Sequence, residues 1–132
     1  MSTKSVLKAF FKEPTILCFS IIVTNRCNAR CSYCHFYGMH KNKELNKDIS
    51  DDVYRIYVDF IKKFKELLPE NVELQFRFSG GDPLVLGNRL FELIEYGYSE
   101  TGIKPYVLTN GLAINKTWIE KAKKHPLKNL FV

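Results

Sequence analysis

The chain has 132 residues, of which 45% are hydrophobic and 26% charged, enough apolar content for a packed core and too little low-complexity character for disorder. No apolar run approaches the ~20 residues needed to span a membrane. The formal charge of +6 permits a nucleic-acid partner, but no aromatic-rich basic motif accompanies it, so the composition argues against one.

The first element in chain order is a short amphipathic segment, Val6 to Phe11. Met1 to Lys12 carries three lysines and no small-residue cleavage site, which argues against a secretory signal. A chain with four cysteines and no signal points to a reducing, cytoplasmic compartment. A first strand is predicted from about Thr15 to Val23. Its odd positions Leu17, Phe19, Ile21 and Val23 are all apolar and are expected to meet helices. Cys18, on the other face, is read as a small buried thiol.

After this strand come Cys27, Cys31 and Cys34, at spacings of four and three positions. Three thiolates fall in one short loop and leave one corner of a metal site open. This pattern suits an iron-sulfur cluster with one open iron. A disulfide framework would leave one thiol unpaired. A structural zinc site is the stronger rival, because His35 follows directly and completes a Cys3His set. The cysteines alone leave cluster and zinc both open. The loop runs on through Phe36, Tyr37 and Gly38 to Lys47, with His35, Phe36 and Tyr37 placed to cover the site.

Ser50 reads as an N-cap, with Asp51 and Asp52 favouring the first turn of a helix. Val53, Ile56, Tyr57, Phe60, Ile61, Phe64, Leu67 and Leu68 recur at helical spacing, and this stripe is expected to pack on a sheet. Pro69 ends the helix. From Val72 to Ser79 apolar and polar residues alternate strictly, predicting a second strand that runs into Gly80-Gly81-Asp82-Pro83, a sequence equally suited to a simple turn. A helix around Asn88 to Tyr96 follows. A third strand, Tyr106-Val107-Leu108, ends in Thr109-Asn110-Gly111. A helix near Lys116 to Lys124 and a final apolar run, Leu130 to Val132, close the order β-α-β-α-β-α-β. Strands alternating with helices in this way require right-handed crossovers and a parallel sheet, with ligand-binding groups at the C-terminal strand edge.

The three motifs in this order resemble those of the radical SAM enzymes. Cys27, Cys31 and Cys34 match the family's CxxxCxxC loop, and Tyr33 holds the aromatic position before its last cysteine. Gly80-Gly81-Asp82-Pro83 resembles the GGE motif, with Asp82 in place of the usual glutamate, and Thr109-Asn110-Gly111 resembles the TNG of the third strand. The resemblance implies a parallel-strand partial TIM barrel, of which residues 1–132 would form the N-terminal portion, about four strands, with the C-terminal remainder absent. It also suggests, among other branches, the peptide-modifying branch with additional clusters.

In that resemblance Cys27, Cys31 and Cys34 would hold a [4Fe-4S] cluster whose fourth iron is chelated by S-adenosylmethionine. Tyr33 would lie near the adenine, Gly80, Gly81 and Asp82 near the methionyl group, and Asn110 would add a contact from the third strand. The implied reaction is reductive cleavage to methionine and a 5′-deoxyadenosyl radical that abstracts hydrogen from a small-molecule or peptide substrate. Implied partners are an electron donor such as a flavodoxin or ferredoxin and a complementary C-terminal chain. Glu73, Gln75 and Arg77 are anomalous on a central parallel strand, and Gln75 and Arg77 are read either as lining a substrate chamber or as facing water at an open sheet. The alternatives to the enzyme are a non-catalytic α/β module with a structural Cys3His zinc site and an incomplete cluster-binding core that needs a partner chain.

Overall fold

The computed structural model describes residues 2–35 and 46–132. Phe36 and Tyr37, expected with His35 to cover the cysteine site, lie outside the described residues. Strands β1 (Thr15–Thr24), β2 (Val72–Gly80), β3 (Tyr106–Leu108) and β4 (Asn129–Phe131) form one parallel sheet in the order β1-β2-β3-β4. The alternating α/β order read from the sequence is the one observed. A strand order that advances one place per crossover, with every crossover of the same hand, puts all the connecting helices on one face of the sheet.

Helix α1 (Thr3–Phe10) precedes β1, and α2 (Asp51–Leu67), α3 (Asn88–Thr101) and α4 (Lys116–Ala122) form the crossovers. Ser50 caps α2 as expected, its side chain accepting from the Val53 N–H, with Asp51 and Asp52 in the first turn. Helix α3 runs five residues beyond the predicted Tyr96. It stops where Gly102 takes a left-handed conformation, φ 68°, as helix C-termini often do.

The core lies between the helices and one sheet face. Ile21 and Val23 of β1, Leu74, Phe76 and Phe78 of β2, and Val107 of β3 pack against Tyr54, Val58 and Ile61 of α2 and Leu90 and Ile94 of α3. Burial of such side chains contributes about 1.5–3 kcal/mol each before entropy is counted. Helices α2 and α3 meet closely at Gly97, where a Cβ would lie 2.5 Å from the Tyr54 hydroxyl. That hydroxyl donates to the Leu93 carbonyl at 2.7 Å, so the buried ring leaves no unpaired polar atom.

Two expectations are corrected. The expected α2 stripe does not all face the sheet: Ile61 and Leu68 are buried, whereas Val53, Ile56, Tyr57, Phe60 and Leu67 are exposed, and the buried face is completed by Tyr54 and Val58, which lie outside that stripe. The helix has two apolar flanks, and the second serves the β1 edge, where Phe60 and Phe64 meet Phe19 edge to face at 5.5 and 5.6 Å. Cys18 is exposed rather than buried, because the even positions of β1 point to the face without helices. That face also carries Ser20, Gln75, Arg77 and Ser79, with Ser20 and Ser79 hydrogen-bonded at 2.9 Å and Arg77 Nε donating to Ser20 Oγ at 3.3 Å.

Candidate cofactor site at the C-terminal strand edge

Parallel pairing brings the ends of β1, β2 and β3 to one edge, and the three sequence motifs meet there. At the root of the cysteine loop the pairing of β1 with β2 continues beyond the strands. The Gly81 N–H donates to the Thr24 carbonyl at 2.9 Å and the Asp82 N–H to the Arg26 carbonyl at 2.8 Å. Such close backbone approach excludes side chains. A Cβ on Gly80 would lie 2.0 Å from the Thr24 oxygen, and one on Gly81 would lie 2.1 Å from the Arg26 oxygen. Gly80 also has φ 127°, a conformation that non-glycine residues rarely adopt.

The same root is held from the other side by a feature the sequence reading missed. Asp48 receives Arg26 through two hydrogen bonds, Nε to Oδ1 and Nη2 to Oδ2, both 2.8 Å, and Thr24 Oγ1 at 2.6 Å. The backbone joins in: Asn25 N–H donates to the Lys47 carbonyl and Ile49 N–H to the Val23 carbonyl. Burial pushes the Asp48 carboxyl up, but hydrogen bonds from Arg26 and Thr24 and the charges of Arg26 and Arg89 outweigh it and hold Asp48 below its usual value. An arginine immediately before the first cysteine, with an aspartate where the loop returns, was the available signal.

Asp82 is fully buried. Its Oδ1 caps the short 3-10 turn Pro83–Leu86 by accepting the Leu84 N–H at 2.9 Å. The Thr109 hydroxyl lies 3.0 and 2.9 Å from its two oxygens, and the Asn110 N–H donates to Oδ2 at 2.8 Å. Its carboxylate therefore points into the protein, tying the end of β2 to the end of β3, and not toward open space where the methionyl contact implied by the resemblance would be made. Gly80 and Gly81 line a cleft at this edge of the sheet.

Cys27, Cys31, Cys34, Ala29, Tyr33, Gly81 and Asn110 line one hollow of about 130 Å³. The Cys27 sulfur accepts N–H groups from Ala29 and from the Asn110 side chain, both at 3.4 Å. Tyr33 is 90% exposed, and its hydroxyl is pushed above its usual pKa by a hydrogen bond with Cys31 and by the nearby thiolate charges. Among the described residues no three Cys, His, Asp or Glu side chains draw together tightly enough to hold a single metal ion. The thiols ring a hollow instead. Three soft ligands, amide donors aimed at sulfur and an open side are a donor set that fits an iron-sulfur cluster.

Gly81 and Asn110 also border a second cleft of about 490 Å³, completed by Arg77, Gly80, Leu108, Thr109, Phe131 and Val132. A cavity of about 600 Å³ at the opposite end of the sheet, near Pro69, Val72, Ile103 and Lys104, contains none of the motif residues. The chemistry-bearing residues concentrate at the C-terminal edge, where parallel α/β sheets place their ligands.

Residues 21–132 match the family model for the radical SAM superfamily. The chain belongs to the radical SAM superfamily. An uncharacterized protein of Methanocaldococcus jannaschii is 33% identical over 109 residues, covering 80% of this chain and 34% of that protein. The radical SAM cyclopropyl synthase TigE of Paramaledivibacter caminithermalis is 29% identical over 119 residues, covering 83% of this chain and 25% of its own length. The crystal structure of BtrN in complex with AdoMet and 2-DOIA superposes with a TM-score of 0.67 at 18% identity, covering 91% of this chain and 45% of that one. At that identity the likeness shows the fold. The chain thus spans about a quarter to a third of the curated relatives it matches. It belongs to a superfamily of enzymes whose cofactors are a [4Fe-4S] cluster and S-adenosylmethionine, and whose members need an electron source and a substrate. No helix among the described residues is long and apolar enough to cross a membrane.

Proposed function

We propose that this chain forms the N-terminal four β/α units of a radical SAM core, with Cys27, Cys31 and Cys34 as the protein ligands of a [4Fe-4S] cluster. The observation that carries this reading is the convergence of the three thiols with Gly81 and Asn110 on one hollow at the C-terminal strand edge. When bound and reduced, the cluster supplies the electron that cleaves S-adenosylmethionine, giving the 5′-deoxyadenosyl radical that takes hydrogen from substrate.

The chain's own residues divide the remaining work. Gly80 and Gly81 present backbone to the methionyl group, and the exposed Tyr33 ring is available to the adenine. Asp82 acts from beneath, holding Thr109 and Asn110 in place. The substrate, a small molecule or a peptide, lies over the helix-free face, where Arg77 borders the cleft beside the cysteine hollow and Gln75 lies further up β2. Among the described residues Arg77 has no carboxylate partner, its Nε bonding Ser20. A flavodoxin or ferredoxin supplies the electron, a complementary C-terminal segment or chain completes the chamber, and the setting is the reducing cytoplasm.

Anaerobic reconstitution with iron and sulfide, followed by electron paramagnetic resonance of the dithionite-reduced protein, tests the reading. The expected result is a [4Fe-4S] signal that changes on adding S-adenosylmethionine. Stoichiometric zinc with no cluster would overturn it in favour of a structural Cys3His site. In an active assembly, Arg77→Ala is expected to lower substrate turnover while cofactor cleavage persists. Unchanged turnover would remove Arg77 from the substrate site.

A further inference from the structure

The Asn110 side chain is oriented by its neighbours so that its N–H groups face the cysteine loop. Oδ1 accepts the backbone N–H of Leu112 at 2.9 Å, and a backbone amide can only donate, so this contact fixes which end of the side chain is oxygen. The other end donates to Asn28 Oδ1 at 2.8 Å and to the Cys27 sulfur at 3.4 Å. The residue is gripped independently through its main chain, whose N–H donates to buried Asp82 at 2.8 Å. Asp82 in turn is fixed by Thr109 and Leu84. A continuous path thus runs from a buried carboxylate just after β2, through the residues that follow β3, to a cysteine sulfur after β1.

We propose that Asn110 is a positioning residue that raises the reduction potential of the cluster through its N–H···S bond to Cys27, and that Asp82 keeps it in place. The proposal rests on the cluster assignment above. An N–H dipole aimed at a ligand sulfur stabilises the more negative of two charge states. Reduction adds one electron to the cluster, so the donor favours the reduced form. Hydrogen bonds to ligand atoms are among the levers by which a protein tunes a metal group. With both side-chain hydrogens of Asn110 committed, its influence passes through the ligand.

The test is a redox titration of the reconstituted 132-residue chain, followed by electron paramagnetic resonance, with iron content and circular dichroism measured in parallel. Asn110→Asp keeps the shape and the acceptor for Leu112 but has no N–H to give. At fixed potential its reduced-to-oxidised ratio is expected to fall about tenfold, a downward shift of about 59 mV for one electron. Asn110→Ala, which adds no charge, should shift in the same direction by less. Asn28→Ala, which leaves the donor in place, should not move the midpoint downward.

Wild-type midpoints in both Asn110 variants at equal iron loading would overturn the proposal. If Asn110→Asp folds without binding iron, Asn110→Ala decides: a lowered midpoint supports the proposal and an unchanged one overturns it. Loss of iron from both variants would make Asn110 part of the loop's scaffold and overturn a tuning role. Absence of a cluster in the wild-type protein would remove the cluster assignment itself, an outcome distinct from an unchanged midpoint.

Discussion

Asp82 shows how one methylene can redirect a residue. The family motif has glutamate here, and the sequence alone invites a carboxylate aimed at the cofactor. In the fold the shorter side chain turns inward and is fully buried, with Leu84, Thr109 and Asn110 donating to it. Restoring the motif by Asp82→Glu is therefore expected to destabilise the protein by about 1–3 kcal/mol, the usual cost of forcing an extra methylene into a filled site. Asp82→Ala, which strands buried donors, is expected to cost about 2–4 kcal/mol. Urea denaturation of the apo chain measures both, and a Glu variant as stable as wild type would mean that the site has room to spare. The cysteines and glycines were legible in the sequence because spacing and backbone freedom are local properties. The direction of Asp82 was not, since it depends on Thr109 and Asn110, 27 and 28 positions away in the chain.

At the scale of elements, the loop between β1 and α2 is closed at its root by the Arg26–Asp48 pair and by the antiparallel bridge of Thr24 with Asp48. The depressed Asp48 pKa gives this closure a pH dependence of known sign. A carboxyl held below its unfolded value, about 3.9, stabilises the folded form above that value, and the contribution is lost as pH falls through the folded pKa. Both partners are partly exposed, so the effect on global stability is small. The expected signature is local: the protection of the Asn25 and Ile49 amides against hydrogen exchange, taken relative to the intrinsic rate at each pH, should fall below about pH 4, and Asp48→Asn should show the lower protection at neutral pH. Equal protection in wild type and variant would show that the backbone bonds suffice without the ion pair. Strand and helix order was readable from periodicity, as was the Ser50 cap. The burial face of α2 was not, because both its flanks are apolar and only contact with Phe19 and α3 tells them apart.

For the molecule as a whole, the described residues leave the sheet with two edges and one face that no helix covers. Among the described residues β4 pairs on one side only and β1, apart from the bridge of Thr24 with Asp48 at its end, likewise, and Ile16, Ile22, Phe131 and Val132 are 62%, 54%, 49% and 87% exposed. Unpaired strands beside apolar surface are templates for further pairing. The 132-residue chain is accordingly expected to self-associate with rising concentration in analytical ultracentrifugation, and Ile22→Lys with Phe131→Lys to reduce it. A monomer at every concentration would show that the polar row of Ser20, Arg77 and Ser79 protects the face unaided. The way the cysteine hollow is assembled also fixes an order of events during synthesis. Its walls come from the loop after β1, from Gly81 and from Asn110, so the thiols leave the ribosome some eighty residues before the last wall does. A cell that loads iron into this protein must keep three reduced cysteines waiting through the synthesis of two helices and two strands, and the vulnerable interval ends when the third strand docks.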